Sequence, residues 1–185
     1  MKYMIKCARK HIKYRTYICF FIAIIACNSD SEFNSKPINQ SIYDNEIFKP
    51  KINIFQDKYL VVSSNSNRLI KDDGKDAILI GNVVSDFFNE EGKHITTLYS
   101  DSAIVENISN NLKAFGNVTV VSDSGFTLKS NEILWNNQYK LITSEDSILL
   151  TDKLNNKIRG VGFESDMDLT NYKIFKFIGS FKESD

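Results

Sequence analysis

The chain has no cysteine after Cys27, no proline after Pro50 and no glycine before Gly74. Its only histidines are His11 and His94. With the three cysteines at Cys7, Cys19 and Cys27, the body of the protein can hold no internal disulfide, and no CxxC metal spacing exists. His94 has no second histidine beside it in the body to complete a metal pair, and it reads as a surface residue. There is no GxSxG motif, and Ser124 beside Gly125 reads as a turn residue rather than a nucleophile. The carboxylates Asp101, Glu106, Asp123 and Glu132 fall at expected turns or strand ends, where solvated roles are the default. Neither an enzyme nor a bound cofactor is expected.

Charge is balanced overall, with 23 basic and 23 acidic residues, but it is not evenly spread. The segment 1–26 holds six of the basic residues and no acid. Removing those six leaves 17 basic against 23 acidic residues, a net of −6 over the segment 27–185. An acidic body without a basic stripe excludes nucleic acid as the expected partner.

Long apolar runs are also missing. The longest, YICFFIAIIA at 17–26, has ten residues, where a bilayer-spanning helix needs about 20. A basic stretch followed by ten apolar residues suits a secretory signal peptide. Ile24-Ile25-Ala26-Cys27 resembles a bacterial lipobox: an aliphatic residue, a permissive residue, a small residue, then cysteine. Cleavage before Cys27 and acylation of that residue would leave a mature chain that begins at Cys27 and is held on a membrane by its acyl chains. The alternative is an uncleaved amphipathic anchor with an incidental cysteine. Met4 is an alternative start.

The expected organisation is a signal peptide at 1–26, a lipidated N-terminus and flexible tether at 27–56, and a folded domain at 57–182. The tether is polar and irregular and holds both prolines, Pro37 and Pro50. Whether the segment 59–64 belongs to the domain is open at this stage.

Beyond Phe55, short runs rich in Val, Ile, Leu, Phe and Thr are separated by Asn, Asp, Ser and Gly. Among them are HITTLYS (94–100), SAIVEN (102–107), LKAFGNVTVVS (112–122), FTLKSN (126–131), EILWN (132–136) and YKLIT (139–143). No helical stripe competes, so the fold expected is all-β. Leu98-Tyr99-Ser100-Asp101, Leu128-Lys129-Ser130-Asn131 and Phe163-Glu164-Ser165-Asp166 align. The spacing of Ser100, Ser130 and Ser165 suggests a strand–turn–strand–turn unit of about 30 residues. Such a unit buries its apolar face only by stacking on its neighbours.

Three motifs then carry a resemblance: Gly116-Asn117-Val118 followed by Val120; Gly125 to Asn131 followed by Ile133 and Trp135; and Ile158 to Phe163 followed by Ser165-Asp166. Over about residues 57–180 the chain resembles the LptC family, the periplasmic component of the lipopolysaccharide export machine. The resemblance implies an open antiparallel β-jellyroll. It implies that acyl chains of lipopolysaccharide ride in an apolar groove while the sugars stay outside. It further implies acceptance of that lipid from an inner-membrane ABC transporter, and edge-strand pairing with a periplasmic bridge protein of the same fold.

The groove residues expected are Ile95, Val118, Val120, Phe126, Leu128, Ile133, Trp135, Leu141, Ile148 and Leu150. For each, an ordinary packed core position is the competing reading. Gly160 and Gly162 are candidate partner contacts, with a bulge or bend of the sheet as the bland reading. The address expected is the periplasmic face of the inner membrane, anchored through Cys27. Asn28 after the cysteine keeps the outer membrane open. The alternative function is a structural or assembly envelope lipoprotein with a dry β-sandwich core and no lipid cargo.

Overall fold

A computed structural model describes residues 45–182. The expected signal peptide, Cys27 and Asn28 lie outside them. Eleven strands follow one another: β1 (Glu46–Phe48), β2 (Lys51–Gln56), β3 (Tyr59–Asn65), β4 (Arg68–Lys71), β5 (Ala77–Phe88), β6 (His94–Val105), β7 (Leu112–Ser122), β8 (Thr127–Asn136), β9 (Leu141–Thr151), β10 (Asn156–Asp166) and β11 (Tyr172–Lys182). All belong to one open antiparallel sheet, the open β-jellyroll expected from the sequence.

The topology is a meander with a crease. β5 pairs with β4 through its first part, Ala77–Ile80, and with β3 through its second, Val84–Phe87. In the same way β4 pairs with β1 and β3 with β2. Thus β3 with β4 acts as one bent strand beside the bent β5, and β1 with β2 as another on its outer side. Each longer strand breaks register or pairing near its middle: at 81–82 in β5, 100–101 in β6, 116–117 in β7, 130–133 in β8 and 145–147 in β9. In β10 the break lies at 160–162. These breaks form a line across the sheet and divide it into two leaves, which face each other across the interior.

Local chemistry explains the line. Gly116 has φ of 74° and Asn117 of 47°, the left-handed region that glycine and asparagine tolerate best. A side chain at Gly116 would also lie 2.6 Å from the Asp101 carboxylate. Gly81-Asn82 has the same conformation at the break in β5. Serines satisfy carbonyls beside the crease: Ser66 donates to Arg68 O, Ser100 to Ser102 O and Ser144 to Glu132 O, at 2.9, 2.9 and 2.8 Å.

Two expectations are corrected here. The segment 46–56, read as tether, forms β1 and β2, because β3 and β4 offer it a ladder edge. The segment 59–64, left open, lies in the sheet as part of β3. The third repeat anchor, Ser165, is not at the crease. It lies opposite Ile142 near the end of β10 and donates to Asn171 O. The crease positions that correspond are Asp101, Asn131 and Gly162, each a single residue facing a two-residue break in the neighbouring strand.

Candidate functional site

The space between the leaves is the candidate site. Alternation points every second side chain inward. From β5 come Leu79, Val83 and Phe87; from β7, Leu112, Ala114, Val118 and Val120; from β8, Leu128, Ile133 and Trp135. The crease shifts the alternation in β6, β8 and β10, so that Leu98 and Ala103, Leu128 and Ile133, and Gly160 and Phe163 are all buried despite odd spacings. The leaves meet in the middle. The Phe87 ring from one leaf packs edge-on against Trp135 from the other, with centroids 5.2 Å apart.

Nine of the ten expected groove residues belong to this interior. Val118, Val120, Leu128, Ile133, Trp135, Ile148 and Leu150 are buried in one apolar cluster, and Ile95 and Phe126 pack against it half-exposed. Leu141 does not. It turns to the outer face, and the adjacent Ile142 is the buried residue of that pair.

Gly160 and Gly162 do not lie at a free edge. A side chain at Gly160 would collide with Ile174 and with Lys176 O, and one at Gly162 would lie 2.9 Å from the Phe175 ring. Gly162 also has φ of 74°. Both glycines let the chain's own β11 approach β10 closely.

The interior has a mouth opposite the crease. A cavity of about 360 Å³ opens there, lined in part by Tyr59, Phe88, Glu90, Ile95, Lys140 and Met167. The Lys140 ammonium stands 5.2 Å from the centre of the Trp135 ring. Burial pushes the Lys140 pKa below its usual value, and the Glu90 charge partly offsets this. The indole Nε1 of Trp135 is buried with no hydrogen-bond partner among the described residues.

Beside this mouth the β10–β11 turn closes over the interior. Leu169 is fully buried although its φ is +60°, a strained conformation for leucine. Hydroxyls of the opposite leaf hold the turn down: Thr96 donates to Met167 O, while Ser122 and Ser124 donate to Asp168 O at 2.6 and 2.7 Å. Within the turn, Asp166 accepts from the side-chain amide of Asn171 at 2.6 Å and from the Thr170 amide at 3.0 Å. Burial would raise the Asp166 pKa, but the Asn171 side-chain amide leads the hydrogen bonds that bring it below the usual value.

The two ends of the sheet are open. Among the described residues β2 pairs only with β3, and β11 only with β10. Along β11, Phe175, Phe177 and Ile178 are 60%, 62% and 60% exposed. This edge was not singled out in the sequence, although the run YKIFKFIG is visible there as a strand. Nor is His94 solitary. It lies between two carboxylates, with Nδ1 3.1 Å from Asp123 and Nε2 3.5 Å from Asp86, and Nε2 is 3.0 Å from the Thr97 hydroxyl.

A creased antiparallel sheet with an apolar interior, a mouth and two open edges defines an open β-jellyroll. Residues 56–173 match the family described as OstA-like protein, more than half of the chain. The chain therefore belongs to the OstA-like family, periplasmic proteins of lipopolysaccharide transport. No curated protein matches it.

Proposed function

We propose that the protein is the LptC-like member of a lipopolysaccharide export system. It accepts lipopolysaccharide from an inner-membrane ABC transporter and passes it along the interior of the jellyroll. It acts as a carrier, not a catalyst. The observation that carries the reading is the combination of an apolar interior with a mouth and an unpaired, aromatic-rich β11 edge. An unpaired edge of this kind invites a strand from another chain, here a bridge protein of the same fold. Acylation of Cys27 would hold the protein on the periplasmic face of the inner membrane, with the outer membrane as the alternative address.

The test is a photo-crosslinking side chain placed in turn at Ile95, Phe126 and Trp135 in cells. Lipopolysaccharide adducts at these positions are expected; no adduct at any of them overturns the cargo. Mass spectrometry of the membrane fraction reads the anchor: an acylated Cys27 supports it, and an unprocessed N-terminus removes it. The second reading, a structural envelope lipoprotein with a dry core, is favoured by one observation. The side chains of Leu128, Ile133 and Ile142 are fully buried, so protein already fills the interior around them. Lipid transport therefore requires the leaves to part.

A further inference from the structure

The outer face at the crease holds a groove that the interior does not use. Its volume is about 570 Å³. It exists because the β8–β9 ladder is interrupted between Lys129↔Leu149 and Leu134↔Thr143. The strands part there, and the half-buried Leu149 side chain supplies the apolar part of the lining.

Two cations flank this groove. Lys129 on β8 and Arg159 on β10 both lie opposite Leu149 of β9, so the three residues stand in register on one face. Two strand spacings separate their backbones by about 10 Å. Both side chains are exposed, and neither has an ion-pair partner among the described residues. Arg159 is nevertheless oriented, because its guanidinium stacks on the Phe181 ring at 5.0 Å. Between and beside the cations lie Ser147, Asn117 and Asn131, with Ser130, whose hydroxyl is bonded to Ser144 Oγ at 2.9 Å. Among the described residues no acid lines the groove. Asp101 approaches its rim only as the acceptor of the Asn117 side-chain amide, at 2.7 Å.

On a body of net negative charge this arrangement selects one chemistry. Two cations able to make charge-assisted hydrogen bonds favour phosphate. Amide and hydroxyl side chains beside the Leu149 side chain favour a sugar ring, and the volume exceeds what a bare phosphate needs. We infer that the crease groove is a binding site for a phosphate-bearing sugar, gripped by Lys129 and Arg159. The site is on the opposite face of the sheet from the apolar interior. It therefore stands whether or not the interior carries lipid.

The experiment is a titration of the mature chain, followed by backbone amide NMR shifts, with glucose 1-phosphate as probe and glucose as control. Saturable shifts confined to residues near 117, 130, 147 and 159 are expected with the phosphate and none with glucose. Each of K129Q and R159Q should weaken binding roughly tenfold, as expected for the loss of one charge-assisted contact. Both positions are exposed, and an unchanged amide spectrum elsewhere shows that the variants are folded. Absence of saturable shifts at about 10 mM probe, a range that still detects Kd values near 1 mM, overturns the site. Equal binding by the double variant does so too. A second titration adds lipopolysaccharide micelles to the probe-bound chain. Displacement of the probe identifies a lipid headgroup as the source of the phosphosugar. Micelle binding without displacement, or no micelle binding, identifies a free phosphosugar.

Discussion

β7 and β11 have equal length, eleven residues each, and similar apolar character, yet they use it in opposite ways. β7 lies between β6 and β8 and buries Leu112, Ala114, Val118 and Val120 against the other leaf. β11 has one neighbour among the described strands and leaves Phe175, Phe177 and Ile178 in solvent. Apolarity within the sheet is satisfied by the chain itself. Apolarity at its end is a surface without a partner among the described residues. The contrast shows that hydrophobic content alone does not separate a central strand from an edge strand; position in the pairing order does.

The comparison breaks first if its two strands respond alike to truncation. Leu112→Ala, in β7, should lose about 2–5 kcal/mol of stability, because it opens a cavity between the leaves. Phe177→Ala should change stability by no more than about 0.5 kcal/mol. Urea denaturation of both variants measures this, and a similar loss from Phe177→Ala would mean that β11 is part of the core.

A somewhat smaller effect is expected where the two regions join. Gly160→Arg should cost about 1–3 kcal/mol by overpacking, since the new side chain meets Ile174 and Lys176 O. Hydrogen exchange should show faster exchange in β11 and little change in β7. Uniform loss of protection would place Gly160 in the body of the sheet instead.

The pH dependence sharpens the same boundary. The folded Asp166 carboxyl has a pKa below its usual 3.8. Its contribution is therefore fully present above that usual value and is lost as pH falls through the lower folded value. Below pH 4 the β10–β11 turn should lose protection before β7 does, and Asp166→Asn should remove that acid step. Lys140 gives the smallest effect, with its window at the alkaline end. Its folded pKa lies below 10.5, so the unfolded chain binds more protons between the two values. Stability should rise slightly with pH in that window, and Lys140→Met should abolish the rise.

Much of this was legible in the sequence, for physical reasons that can be named. Strand content followed from period-two alternation, and nine of the ten groove residues named from the sequence lie in the interior. Leu141 did not, because Leu141 and Ile142 are both apolar and adjacent, and alternation cannot choose between them. The crease was misread as a set of turns. The segments 94–100 and 102–107 appeared as two strands, as did 126–131 and 132–136, because Asp101 and Asn131 carry turn chemistry. In the folded sheet they mark bends within β6 and β8. The repeated Gly-Asn-Val at 81–83 and 116–118 was the signal that could have exposed this. The crease groove was out of reach, since Lys129 and Arg159 lie on different strands, far apart in the chain, and come together only through the register of β9.

The meander also has a kinetic meaning. From β5 to β11 every strand pairs with its sequence neighbour, so each of these ladders closes a short loop. Contacts between leaves, such as Phe87 of β5 with Trp135 of β8, close much longer ones. Ladders can therefore form by zipping from any hairpin, and the slower event is bringing the leaves together. Folding becomes nearly one-dimensional, like that of a repeat array, with fraying concentrated at the outermost strands. A chain built this way can gain or lose a terminal strand without changing the path by which the rest assembles.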